Sequence, residues 1–253
     1  MFLKKMSKIK VGSCLLIRAD IYSKEIIEKM HSKSNKIIAY QWDGVGRYPA
    51  IKQIATLFDR FYVFDRTDID SGKGNYLSTT NFYFGHLFQK HIIPKKNSYF
   101  FLGTFFKCRW EEIQTTANLI RENQGIPNFF LLIDDVDILK QYSCEGIQFI
   151  DTPINYVETL RLTLENQVIV DFLTNVHIGL SFRVFEAIGF ERKLVTNNID
   201  VKNYDFYHPN NIYILGDENR SLHDFINEPY FKLKDEILNQ YNFDIWIKKL
   251  LEN

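Results

Sequence analysis

The sequence predicts an α/β protein made of two successive parallel-sheet modules, and three observations carry that expectation. Short apolar runs alternate with amphipathic stretches of helical length from Val11 onward, the signature of strand–helix–strand units. A connecting stretch around Lys90–Asn97, with Pro94 among Lys90, Lys95 and Lys96, separates two such alternating regions. The 253 residues are 45% hydrophobic and 15% aromatic, enough to fill two small cores, which excludes a disordered chain.

In the first module, Val11–Arg18 reads as a strand and Ile21–His31 as a helix with Ile26, Ile27 and Met30 inward. Lys36–Trp42 is a second strand, ending at Asp43-Gly44. Tyr48–Phe58 is a helix with Ile51, Ile54, Ala55 and Phe58 on one face, and Phe61–Phe64 is a third strand, ending at Asp65. Asp68–Lys96 has little regular periodicity, and the boundary between the modules is set at residues 95 and 96. In the second module Ser98–Leu102 is a strand, Gly103-Thr104 a turn, Trp110–Glu122 a helix and Asn128–Ile133 a strand. Ile147–Ile150 is a short strand and Asn155–Leu164 a helix. Val168–Val170, Phe182–Ile188 and Lys193–Thr196 then form strand, helix and strand, with Gly189 placed to end the helix. Ile212–Leu215 is one more strand, and Phe231–Leu251 a helix or helix pair.

The 31 basic and 31 acidic residues cancel, which removes the global case for nucleic-acid binding. Cys14, Cys108 and Cys144 are widely spaced and odd in number, so they suit neither a metal spacing nor a disulfide framework, and fit a reducing cytoplasm. The apolar run Cys14–Ile17 is too short for a signal or membrane-spanning segment. Lys4, Lys5, Lys8 and Lys10 could touch an anionic membrane surface, although a solvated terminus is the plainer reading. The expected location is cytoplasmic, with the inner face of the membrane as the alternative.

The stretch from Gln167 to Asn198 is the chemical focus. A Gly-containing loop leading into a helix presents free backbone N–H groups, a ready anion site. Arg183 falls in the first helical turn, where a cation opposes the helix dipole at a cost of about 0.3–1 kcal/mol unless an anion is near. Two partners offer themselves. Glu186, three residues on, would make a local pair worth a few tenths of a kcal/mol. A ligand phosphate, held with the Ser181 hydroxyl and loop N–H groups, would free Glu186 for ribose hydroxyls. His177 either lines the same cleft or is a structural histidine.

Gly179–Gly189 followed by Lys193–Thr196 resembles the nucleotide-sugar site of GT-B glycosyltransferases, more narrowly the bacterial enzymes that build lipopolysaccharide or capsule. That resemblance implies two Rossmann-like domains, the N-terminal one shortened against the usual size. It implies a donor nucleotide-sugar held by Gly179, Ser181 and Arg183 at the phosphates and Glu186 at the ribose. Thr104, Lys107 and Arg109, after the strand Tyr99–Leu102, are similar to the basic loop of such a domain. Tyr40-Gln41-Trp42-Asp43 and Phe64-Asp65-Arg66-Thr67-Asp68 look like the acceptor-side domain, with a glycan or glycolipid as acceptor. The helix carries a single Glu186 where the retaining pattern has a spaced pair of glutamates.

Asp43 is the candidate general base, since an inverting transfer needs a group to take the acceptor hydroxyl proton. It sits at a strand end, in a loop whose glycines allow close approach; its structural alternative is a helix cap. Arg47 either binds phosphate or pairs with Asp43. Asp65 joins the acceptor-side set, against the alternative of a turn-forming aspartate. Asp134-Asp135-Val136-Asp137 competes as a divalent-metal site of a GT-A enzyme, built on Asp135 and Asp137, against a solvated turn with a cap. Ser71-Gly72-Lys73-Gly74 lacks P-loop spacing. The expected function is glycosyl transfer from a nucleotide-sugar without an obligatory cofactor or metal. A non-catalytic nucleotide- or glycan-binding protein and the metal-dependent enzyme are the alternatives.

Overall fold

The computed structural model describes residues 10–70, 75–87, 92–173 and 178–252. The lysine-rich start up to residue 9, the Ser71–Gly74 segment, Lys90 of the expected connection and His177 are calls that fall on positions outside this set. Every strand pairing in it is parallel, in two separate sheets. By contacts the chain forms two units. One comprises residues 1–82, 173–181 and 240–253; the other comprises 83–172 and 182–239.

The first unit carries β1 (Val11–Ile17), β2 (Ser34–Gln41), β3 (Arg60–Val63) and β4 (Tyr76–Ser78), adjacent in that order. Between them run α1 (Lys24–His31), α2 (Ile51–Ile54) with a following 3-10 turn, and α3 (Arg66–Asp70). Ile27, Met30, Ile37, Ala39, Ile51, Phe61 and Val63 build the core on one face. The other face of β2 is buried as well: Ile38 and Tyr40 are fully covered. Tyr40 meets the indole of Trp246 edge-on at 4.8 Å, and Trp246 stands 4.3 Å from Phe82. The indole N–H donates to the Thr80 carbonyl at 2.9 Å. A strand buried on both faces reads as a continuous apolar run, which is why Lys36–Trp42 is legible as a strand. Trp246 belongs to α9 (Phe243–Glu252), so the last helix clusters with the first unit and one boundary near residue 95 does not describe the chain.

The second unit carries β5 (Lys95–Thr104), β6 (Ile126–Leu132), β7 (Ile147–Ile150), β8 (Asn166–Asp171), β9 (Lys193–Thr196) and β10 (Ile212–Ile214). Their spatial order is β10-β9-β8-β5-β6-β7. Counted within the unit this is 3-2-1-4-5-6, the doubly wound order, in which the winding reverses between β5 and β8. α4 (Trp110–Glu122), α5 (Tyr156–Glu165), α6 (Phe182–Gly189), α7 (Leu222–Asn227) and α8 (Asp235–Gln240) complete it. Tyr99, Phe101, Ile113, Ala117, Phe129, Val168 and Val170 centre the core.

Several local expectations are corrected. β5 begins at Lys95, inside the stretch read as a connection, and carries a register shift before Tyr99, with Asn97 at φ 55°. β4 and α7 carry too short a pattern to be read from periodicity. Gly103 lies in β5, not in a turn. Gly189 does not cap α6. The Arg192 N–H reaches the Ala187 carbonyl at 2.7 Å and the Glu191 N–H the Ile188 carbonyl at 3.1 Å, a Schellman closure with Glu191 at φ 55°. Gly189 is glycine for packing: a Cβ there would lie 2.4 Å from the Tyr83 ring.

Two effects oppose each other at that position. Alanine in a helix gains about 1 kcal/mol of propensity over glycine. Overpacking against a buried ring costs typically 1–3 kcal/mol. The contact is with a rigid ring that is itself buried, so the clash wins: Gly189→Ala is expected to lower stability by about 1–2 kcal/mol in urea unfolding, and a stabilised variant would refute the packing account.

Candidate functional site

The carboxyl ends of β5 and β8, where the winding reverses, are where an open parallel sheet places a ligand. Asp171 ends β8 and is 3% exposed. Arg183, in the first turn of α6, reaches back over the Phe101 ring at 5.4 Å, pairs with Asp171 at 3.8 Å and donates to the Leu102 carbonyl of β5. The partner that resolves its wrong-signed place on the dipole is thus Asp171, the last residue of β8, and not only the local Glu186.

Arg109 comes from the turn after β5 and donates to the Phe172 carbonyl at 3.1 Å. Its Nε is buried and has no hydrogen-bond partner among the described residues. Burial pulls its pKa down; Asp171 pushes it up and Arg183 pulls it down again. Two guanidinium groups and one buried carboxylate therefore share this end of the sheet, with Glu112 close enough to push the Arg109 pKa up and one Arg109 N–H orphaned. A buried donor without an acceptor costs about 1–3 kcal/mol, a debt that a bound anion would cancel. Thr104 ends β5, and both it and Lys107 are exposed beside this group. A cavity of about 480 Å³ opens at Cys108 and is lined by Glu111, Glu112, Thr115, Asn197 and Leu215.

Glu186, the predicted ribose residue, already has a partner. Glu186 is buried, at 3% exposed, and accepts a hydrogen bond from the Tyr156 hydroxyl at 2.9 Å. Burial pushes its pKa up to about 7, against the Tyr156 hydrogen bond and Arg183, which pull it down. The same burial, with Glu186 beside it, pushes the Tyr156 hydroxyl up. Ribose contact by Glu186 would thus require displacing Tyr156. Gly179 and Ser181 cluster with the first unit, although Arg183 and Glu186, a few residues on, belong to the second. Gly179 is glycine because a Cβ would lie 2.6 Å from the Phe64 ring and 3.0 Å from its carbonyl.

In the first unit the strand ends gather a charged cluster. Asp43 pairs through Oδ2 with Arg18 at 3.1 Å and through Oδ1 with Arg47 at 3.4 Å. Arg18 grips Asp20 with both Nε, at 2.9 Å, and Nη2, at 2.6 Å, and lies 4.7 Å over the Tyr48 ring. Its pKa is raised, chiefly by the Asp20 hydrogen bond. Asp20 is pulled down: burial raises it, but the hydrogen bonds from Arg18 and Gln41 outweigh that. Arg18 has φ 62° and ψ 71°, a left-handed conformation costing a non-glycine residue roughly 1–2 kcal/mol. Sequence reasoning found Asp43 and Arg47 but missed Arg18, Asp20 and Gln41; the βα position of Arg18 was the available signal.

Asp65 is 1% exposed, its Oδ1 accepts from the Thr67 N–H at 2.9 Å and hydroxyl at 2.7 Å, and its Oδ2 accepts from the Ile178 N–H at 2.8 Å. Its carboxylate starts α3 and anchors the loop, which is the turn-forming alternative to the acceptor-side reading. Asp135 accepts from the Asp137 N–H at 2.9 Å as the cap of a 3-10 turn, and Asp137 pairs with Lys140 at 2.6 Å. Among the described residues no group of His, Cys, Asp or Glu is placed to hold a metal ion, and no helix is long and apolar enough to cross a membrane.

A scan against protein families and a search of curated protein sequences each find no match. Among solved structures, the chain is similar to the catalytic domain of starch synthase IV from Arabidopsis thaliana, solved bound to ADP and acarbose. The TM-score is 0.55 at 8% identity, over 99% of this chain and 74% of that one. The likeness is one of fold: α/β with parallel sheets, as in that glycosyltransferase domain.

The Glu186 carboxyl gives a signed prediction. Its folded pKa, about 7, lies above the ordinary 4.5, so the folded chain holds more protons between those values. Stability from this group is complete below about pH 4.5 and is lost as pH rises towards 7, by up to roughly 3 kcal/mol. Glu186→Gln should flatten that part of the stability profile in urea titrations from pH 4.5 to 7.5; an unchanged slope would show that Glu186 titrates normally.

Proposed function

We propose that the chain is a glycosyltransferase of GT-B type, with two Rossmann-like domains, that transfers a sugar from a nucleotide-sugar donor to a glycan or glycolipid acceptor. The bacterial surface-polysaccharide setting belongs to this reading through the resemblance of Gly179–Thr196. The observation that carries it is the pair Arg109 and Arg183 around buried Asp171 at the doubly wound switch point, with the Arg109 Nε unpaired. The starch synthase domain of similar fold was solved with ADP and acarbose, a nucleotide and a glycan analogue, which supports the same ligand classes here.

On this reading the second unit binds the donor. Arg109 and Arg183 take the diphosphate, where bidentate guanidinium contacts are strong, and the N-terminus of α6 adds its dipole. Thr104 and Lys107 flank the phosphates. The cavity from Cys108 to Leu215 supplies carboxylates and an amide that suit the hydroxyls of ribose or sugar. The leaving nucleoside diphosphate is neutralised by the arginines, so no metal is required. In the first unit Asp43 takes the acceptor proton and Arg47 assists acceptor binding. No metal-dependent role is assigned to Asp135 and Asp137, whose groups cap and pair within one turn.

Each arginine contact is worth about 1.5–3 kcal/mol. Arg109→Gln and Arg183→Lys should each weaken nucleoside diphosphate binding by roughly 10- to 100-fold in calorimetry. Unchanged affinity for UDP, GDP and CDP in both variants would sink the site. Binding without any turnover of nucleotide sugars would instead favour a non-catalytic binding protein.

A further inference from the structure

The geometry points to Arg18 as the positioning residue for Asp43, clamping one carboxylate oxygen and leaving the other to receive the proton. This rests on Asp43 being the base, as proposed above.

The two arginines on Asp43 are held very differently. Arg18, with 24% of its side chain exposed, is fixed on every side. Its backbone is left-handed, Asp20 binds it twice, and Tyr48 stacks beneath its guanidinium. Asp20 is itself pinned by the Gln41 amide at 2.9 Å, and its side chain is 6% exposed. Arg47 has half its side chain exposed and meets Asp43 once, at 3.4 Å. Oδ2 therefore sits against a rigid partner, whereas the contact on Oδ1 is one an incoming acceptor can replace. In the transfer, the acceptor hydroxyl gives its proton to Oδ1 while its oxygen bonds to the anomeric carbon. The bond from that carbon to the diphosphate oxygen breaks, and its electron pair leaves with the nucleoside diphosphate.

A planar guanidinium can hold Asp20 through one edge and Asp43 through another, which a lysine ammonium cannot reproduce. The rival account is a staple that only ties the ends of β1 and β2. The two accounts differ in kinetics. Misplacing a reacting group by about 1 Å costs on the order of 100-fold in turnover, whereas a staple changes stability and leaves kcat alone once the chain is folded.

The test uses the full chain with UDP-glucose, GDP-mannose and ADP-glucose as donors and a glycan array as acceptors. Far-UV circular dichroism checks that each variant is folded. Arg18→Met should lower kcat by about 100-fold and Arg18→Lys by about 10-fold, with the donor KM within about twofold of wild type. Arg18→Lys combined with Asp43→Asn should be no slower than Asp43→Asn alone, because both act through one carboxylate. If Arg18→Met fails to fold, Arg18→Lys and the double variant decide. An Arg18 variant with kcat within about threefold of wild type, beside an inactive Asp43→Asn, overturns the positioning role and leaves the base assignment standing. An Asp43→Asn that turns over normally, or no turnover by the unaltered chain, overturns the base assignment and this inference with it.

Discussion

The arrangement of the second unit depends on a carboxylate buried at the end of its central strand. β8 lies between β5 and β9, and Val168, Ile169 and Val170 are wholly covered. Asp171 follows them with 3% of its surface exposed. An ion taken out of water costs several kcal/mol unless it is paired and hydrogen-bonded. Arg183 supplies the paired charge from α6 at 3.8 Å, and by bonding the Leu102 carbonyl it ties the same helix to β5. One ion pair thus fixes where the helix after β8 starts, where the loop after β5 can run, and why a second cation, Arg109, sits beside them.

Other buried cations in the same unit show what a structural cation looks like. Arg192 spends its guanidinium on the carbonyls of Leu164, Phe190 and Ile92. Lys193, with its pKa pushed down to about 8 by burial, donates to the Phe225 and Glu228 carbonyls at the end of α7. A cation at a helix C-terminus is where the dipole favours it. Arg192 makes four such contacts and Lys193 two, whereas Arg109 makes one to Phe172 and retains a buried N–H without a partner among the described residues. That difference in satisfaction, not charge alone, separates Arg109 from the two cations whose side-chain nitrogens are all bonded to carbonyls.

The sequence carried the strands and long helices well, because their apolar periods are set by burial. Trp110–Glu122 and Ile147–Ile150 are read with the bounds the structure gives, and Asn155 at the start of the next helix caps it through the Glu158 N–H. What stayed illegible depends on partners distant in sequence. Gly179 and Gly189 look alike as loop and cap glycines, yet each is set by an aromatic ring about 100 residues away, Phe64 and Tyr83. The return of Trp246 to Tyr40 and Phe82 has no local signal. Arg18 hid for the same reason: its partners Asp43 and Tyr48 come from the next strand's end.

Glu186 shows how the site's chemistry shifts once burial is known. A glutamate on the helix after the switch-point strand invites a ribose reading, but Tyr156 already occupies its Oε1 and apolar surroundings hold its pKa near neutrality. A group in that state is poised between charged and neutral forms, and both forms lie behind Arg183 in the same helix. In the stretch that first suggested a phosphate loop, Arg183 bridges β8 and β5, whereas Gly179 is spent on packing against Phe64.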